Sequence, residues 1–509
     1  MKNDGGEKAV SRRGFLKGIG VGAGALTIGQ ISIVEAALLP KASRTETSNV
    51  VVIGTGLAGR SAALETRLGD AEVILLEKMP DGKDGGNSKL AMGSIVVPMD
   101  RTPGAANIYF EEFMKKSQGR GNAELSRIIA NQIYDGTDWL KSHGVEMQGP
   151  IDATPYQAKV FTMAPGQFMG MAPLLAKLKD KYLKAGGKTV YQTKAKQLIM
   201  DDRGKVVGVR AADRRGLIDY MADVVIIATG GYAANKELLE TFVDPNAGAM
   251  LVRGGFWATG DGLIMAHEAG GAWVNMGGVA SLHVAAVNAE NTSSGNPSGA
   301  VPYCIGINRD GMRYVDESKG YVAHGKAALK QQGQTVALVF DEEINRQQRV
   351  QISVNTFKRL GIKVIEASTL EELARKINVP PVKFVQTVTE FNNAVKDGMA
   401  LEANPPKATL AYKIQTPKFY AFYPMVPGIT LTFGGIRING KAQVLEADGT
   451  PIGGLYAAGE CAGGLYYDDY IGGASLANCV VMGRIAGKEA VAHKTALKKE
   501  RTPKKGASR

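Results

Sequence analysis

Gly54-Thr55-Gly56-Leu57-Ala58-Gly59 follows the β-branched run Val50-Val51-Val52-Ile53 and precedes a helical pattern that includes Ala62, Ala63 and Leu64. In a strand–turn–helix of this spacing, the first glycine permits a tight turn. The second lets a pyrophosphate approach the backbone, and the third lets helix and strand pack closely. Phosphates at the helix N-terminus meet free N–H groups and the positive end of the helix dipole. A second apolar run, Val73-Ile74-Leu75-Leu76, ends in Glu77, an acceptor for ribose hydroxyls, with Lys78 beside it. The spacing predicts a dinucleotide site on Gly54, Gly56, Leu57, Ala58, Gly59, Glu77 and Lys78.

Gly85-Gly86-Asn87-Ser88, then Ala91 and Gly93, form a small-residue loop just after the second strand. A nicotinamide has no need of one there, whereas a flat isoalloxazine ring needs backbone pressed close to it. On the segment "LEK...GGNS..A.G" the chain resembles the flavoprotein subunit family of fumarate reductase and succinate dehydrogenase, and the likeness extends over residues 48 to 490. The resemblance implies FAD held by Gly86, Asn87, Ser88, Ala91 and Gly93, by Ala228, Thr229, Gly230 and Gly231, and by Asp261. It further implies Gly459 and Glu460 near the ribityl or ribose hydroxyls, and Ser475 and Leu476 at a helix N-terminus by the flavin N1–C2=O edge. Members that carry FAD covalently attach it through a histidine after the second strand. None occurs between Lys78 and Ser142, so the flavin is expected to be non-covalent.

The substrate half departs from that family. By motif, the acid arginine of fumarate reductases falls at Tyr321, the binding histidine at Leu431 and the substrate arginine at Tyr470. A tyrosine cannot replace a bidentate guanidinium, but it donates a hydrogen bond or exchanges a proton. Tyr470-Ile471-Gly472-Gly473-Ala474 is similar to the tyrosine-glycine segment of 3-ketosteroid dehydrogenases, and residues 422 to 435 resemble tricarballylate dehydrogenase. These resemblances imply hydride transfer between flavin N5 and a carbon β to a carbonyl or carboxyl group, with proton transfer at the α carbon. Tyr470 and the Ala474 N–H would polarise the carbonyl, and Tyr321 would be the acid or base. The alternatives are a fumarate reductase proper, a non-catalytic flavin-binding protein, and an oxidase using dioxygen. His283 and His324 are further candidates for substrate contact, Tyr466, Tyr467, Asp468 and Asp469 would shape the site, and Trp257 and Trp273 are expected to pack.

The elements that must position these groups are those of an α/β fold, a Rossmann-type FAD-binding domain split around a smaller α+β capping domain. The expected boundaries are 45–271 with 431–492 for the FAD domain and 272–430 for the cap. Helices are predicted over Leu370–Ile377 and Val382–Val395, separated by Pro380-Pro381. Ser11-Arg12-Arg13-Gly14-Phe15-Leu16-Lys17 and the glycine-rich apolar run behind it read as a twin-arginine signal with linker over 1–44. Export would be by the twin-arginine translocase, to the periplasm or another extracytoplasmic compartment. Residues 493–509 form a basic tail that, with the leader, carries much of the +12 charge, and the mixed signs between them argue against nucleic acid. Cys304, Cys461 and Cys479 make no haem, metal or disulfide motif, and the five histidines have no metal-binding spacing. Electrons are therefore expected to pass to or from an external carrier, a cytochrome or quinone-linked protein.

Overall fold

The computed structural model describes residues 39–91, 93–153, 157–163, 171–280, 283–287, 295–467 and 469–501. The expected export signal and Asp468 therefore lie outside the described residues. From Ala42 onward the chain forms one compact unit.

Its centre is an eight-stranded sheet. Strand Arg44–Ile53 lies parallel between Val73–Leu76 and Gly216–Ile227, and Lys188–Val190 and Pro451–Ala457 extend the parallel set outward. A hairpin, Lys194–Met200 with Val206–Asp213, adds antiparallel strands to the long strand Gly216–Ile227. Val50, Val51 and Val52 are fully buried, as a parallel strand covered on both faces requires. Helices Leu57–Leu68 and Ala474–Arg501 cross this sheet close together. Glycine makes that possible, since a Cβ at Gly483 would stand 2.6 Å from Ala58 O.

A second, six-stranded sheet is organised on Phe419–Ile429 and has its own hydrophobic core, which includes Leu338, Phe340, Phe357, Phe384 and Phe422. Leu251–Val252 also pairs in this sheet, ahead of residue 271. The predicted helices are found at Leu370–Lys376 and Pro381–Ala394, with Pro381 in the first turn where its missing N–H costs nothing. The α/β class with Rossmann-type strand–turn–helix geometry is thus present. No helix among the described residues is long and apolar enough to cross a membrane.

Candidate active site

The glycine turn does what its spacing dictates. Gly54 has φ +104°, and a Cβ there would overlap Ala228 O, while a Cβ at Gly59 would overlap Gly54 O. Gly56 caps the helix without a side chain, and of the N–H groups behind it Leu57's meets Ser88 Oγ at 3.0 Å. Glu77 is buried at the end of its strand. Its Oε2 accepts from the Thr55 hydroxyl and N–H, and its Oε1 from Met79 N–H at 2.8 Å. Thr55 Oγ1 in turn accepts from Gly85 N–H at 3.1 Å, tying the glycine-rich loop to the turn. A buried ion pair, Arg60 with Asp84, holds that loop from the other side.

These elements open onto one cavity of about 440 Å³. Gly54, Gly56, Leu57, Ala58, Glu77 and Lys78 line it, as do Gly86, Asn87, Ser88 and Ala91. So do Ala228, Thr229, Gly230, Asp261, Glu460, Ser475 and Leu476, together with Tyr321 and Tyr470. Gly59, Gly93, Gly231 and Gly459 do not. Gly59 packs helix on strand, and a Cβ at Gly459 would press on the Ala58 side chain at 2.7 Å. Ala474 is also absent from the lining, and its N–H donates to Ile471 O at 3.0 Å. The backbone donor expected at Ala474 is taken by its own turn, and the next groups along the helix, at Ser475 and Leu476, are the ones on the cavity.

The charged groups of the cavity are nearly all held by protein partners. Against the upward push of burial, Lys78 and Lys194 hold Asp261 below the usual carboxylate range, at 2.6 and 2.9 Å. Burial pushes Glu460 up, opposed by hydrogen bonds from Thr432 N–H at 3.1 Å and Asn87 Nδ2 at 3.0 Å. His324 lies outside the lining, fully buried, its Nε2 2.8 Å from the Tyr314 hydroxyl. Nothing is described for the His283 side chain. Tyr466 is buried in the cavity wall, stacked on Phe113 and tilted against Phe433, and Trp257, expected to pack, also faces the cavity. Lys116 pairs with Asp469 at 2.6 Å.

Arg253 joins the site without belonging to any of the motifs expected to form it. The residue is only 3% exposed, and its side chain lines the cavity with Tyr321 and Tyr470 and carries a buried Nε with no hydrogen-bond partner among the described residues. Burial pushes its guanidinium down to about 10, opposed by Tyr321 and Tyr470. An anion in this cavity therefore meets an arginine after all, supplied by a segment other than those the family pattern designates. The signal available was an arginine set between the apolar pair Leu251-Val252 and two glycines.

Polar atoms suited to a flavin dinucleotide await partners along the cavity. Trp257 Nε1 is buried without one among the described residues, the Ser475 hydroxyl lies beside the Tyr466 phenol, and Gly472 leaves open space where a Cβ would sit. A buried carboxylate at a strand end, two helix N-termini and a close backbone approach are the features of a dinucleotide-dependent flavoprotein fold.

The chain belongs to the family described as FAD binding domain, whose model matches residues 49–476. It is an FAD-dependent oxidoreductase. Among curated relatives, a probable fumarate reductase of Shewanella frigidimarina is 28% identical over 459 residues, covering 89% of this chain and 76% of that protein. Urocanate reductase of Eggerthella lenta is 28% identical over 477 residues, covering 87% and 74%. The open conformation of a flavocytochrome c3 fumarate reductase superposes with a TM-score of 0.75 at 28% identity, over 92% of this chain and 82% of that one.

Proposed function

We propose that this protein transfers a hydride between FAD N5 and a carbon–carbon bond activated by a carbonyl or carboxyl group, as an enone- or acrylate-type reductase or the corresponding dehydrogenase. The observation that carries this reading is the convergence of Tyr321 and Tyr470 on the cavity lined by the dinucleotide turn. Relatives named as fumarate and urocanate reductases support it.

Bound FAD would supply the hydride, with Glu77, Glu460 and the N-termini of helices Leu57–Leu68 and Ala474–Arg501 holding it. Tyr470 donates a hydrogen bond to the activating oxygen. Tyr321 gives a proton to the α carbon in reduction and takes it in oxidation, as a positioned general acid and base. Arg253 shares the cavity with it. The second sheet and its core would form the capping domain that covers the substrate.

The flavin is held non-covalently, so acid precipitation should leave it all in the supernatant. The reading includes export by the twin-arginine route, which carries folded, cofactor-loaded proteins, and a cytochrome or quinone-linked electron partner outside the cytoplasm. Fumarate reduction proper is the second reading. Arg253 favours it, and the loss of arginine at positions 321 and 470 opposes it.

The test is to reduce the holoprotein with a viologen dye and offer fumarate, urocanate, cinnamate-type acrylates, aconitate and a 3-keto-4-ene steroid. Reoxidation of the flavin by at least one non-fumarate member is expected. If none reoxidises it, and no saturated counterpart bleaches the oxidised flavin, the proposed chemistry is wrong.

A further inference from the structure

Arg253 is held in place from both sides. Its N–H donates to Ile429 O at 2.7 Å, and Gly255 N–H two residues on donates to Asn87 Oδ1 at 2.7 Å. The side chain runs across Gly428, where a Cβ would stand 2.8 Å from Arg253 Cγ and closer still to Cδ. A glycine at 428 is therefore what lets the guanidinium reach the cavity.

A buried cation without an anion is costly, and proteins avoid one unless a ligand completes it. The carboxylates that line the cavity are committed elsewhere: Glu77 to Thr55 and Met79, Asp261 to Lys78 and Lys194, Glu460 to Asn87 and Thr432. No ion pair or hydrogen bond of the Arg253 side chain occurs among the described residues. The other cavity-lining cations, Lys78 and Lys194, are both paired with Asp261. On the same cavity, Phe433, Tyr466 and Tyr470 pack as a set of rings, with centroids 5.3 to 6.0 Å apart.

We infer that Arg253 is the substrate's carboxylate anchor, and that the substrate is an α,β-unsaturated monocarboxylate with an apolar or aryl β-substituent set against the ring wall. This deepens the proposed function and rests on it for the redox step. When a hydride reaches the β carbon, the C=C π pair moves toward the carboxylate and makes an enediolate carrying one more negative charge. The Arg253 guanidinium faces that charge, and the Tyr321 O–H proton then goes to the α carbon. Two electrons and one proton come from the reduced flavin, the second proton from Tyr321, which regains it from water. A fixed cation beside the developing charge stabilises the transition state more than the ground state.

The test measures equilibrium binding, by flavin absorbance and calorimetry, to the oxidised holoprotein of cinnamate, crotonate and the uncharged ketone 4-phenyl-3-buten-2-one. In the wild-type protein cinnamate is expected to bind at least about tenfold more tightly than the ketone, a comparison that needs no variant. In Arg253→Met the cinnamate Kd is expected to rise about 30-fold or more and the ketone Kd less than about threefold, with Arg253→Lys between. Tm should be unchanged or higher in Arg253→Met, because a buried charge with no partner among the described residues has been removed. Equal weakening of acid and ketone, no change in either, or no saturable binding of any monocarboxylate by the wild-type protein overturns the inference. Failure of the redox reading looks different: the acids bind through Arg253, yet neither acid nor ketone reoxidises the reduced flavin.

Discussion

Asn87 Nδ2 donates to Glu460 Oε2 at 3.0 Å, so the loop after the second strand is fastened to a carboxylate 373 residues further along the chain. Because Asn87 Oδ1 also accepts from Gly255 N–H, one amide sets the position of Glu460 and of the Arg253 segment together. Asn87→Leu keeps the branched shape at a larger volume and removes both bonds, together with the one Nδ2 gives Thr430 O. With one opponent of burial gone, Glu460 moves further up and its hold on a hydroxyl weakens. FAD affinity is expected to fall about 10- to 100-fold, read by fluorescence titration of apoprotein. An unchanged Kd would mean that this carboxylate plays no part in holding the cofactor.

Tyr321→Phe and Tyr470→Phe each delete one hydroxyl from the cavity and leave the ring packing. Turnover with the best acceptor should drop about 10²- to 10⁴-fold for Tyr321→Phe, and by a smaller factor for Tyr470→Phe, with the flavin spectrum intact in both. Rates within about threefold of wild type in both variants would remove these residues from the mechanism.

Gly428→Ala places a methyl group in the path of the Arg253 side chain without touching the cavity lining. Displacing the guanidinium should weaken carboxylate binding about tenfold while FAD content stays whole, and overpacking should cost about 1–3 kcal/mol of stability. Titration with cinnamate and a thermal melt check the two effects separately.

His324 gives the fold a pH dependence. Burial pushes it down to about 4, while the unfolded chain keeps the ordinary value of 6.5. As pH falls through 6.5 the unfolded state therefore takes up a proton first, and stability declines until the folded histidine also protonates near 4. His324→Gln, which retains an acceptor for Tyr314, should be less stable at pH 7 but lose about 2 kcal/mol less than wild type between pH 7 and pH 5. Urea denaturation at both pH values checks this, and parallel slopes for the two proteins would contradict it.

The sequence by itself determined what depends on neighbours along the chain. The Gly54–Gly59 turn, Glu77 at a strand end and the helices flanking Pro380-Pro381 were legible because sterics, hydrophobic period and proline geometry act over a few residues. The FAD family was legible for the same reason, as a series of short motifs. What only the tertiary structure decided is which groups face the substrate. Ala474 loses its N–H to Ile471 O once the turn closes, and His324 disappears beneath Tyr314. Arg253 reaches the cavity because Leu251–Val252 pairs with Gly428–Ile429, and Gly428 has no side chain to stop it. No local rule reports a pairing across so many residues, because the free energy that selects it comes from packing the second sheet, and the cost of the buried charge is felt only after that sheet has formed.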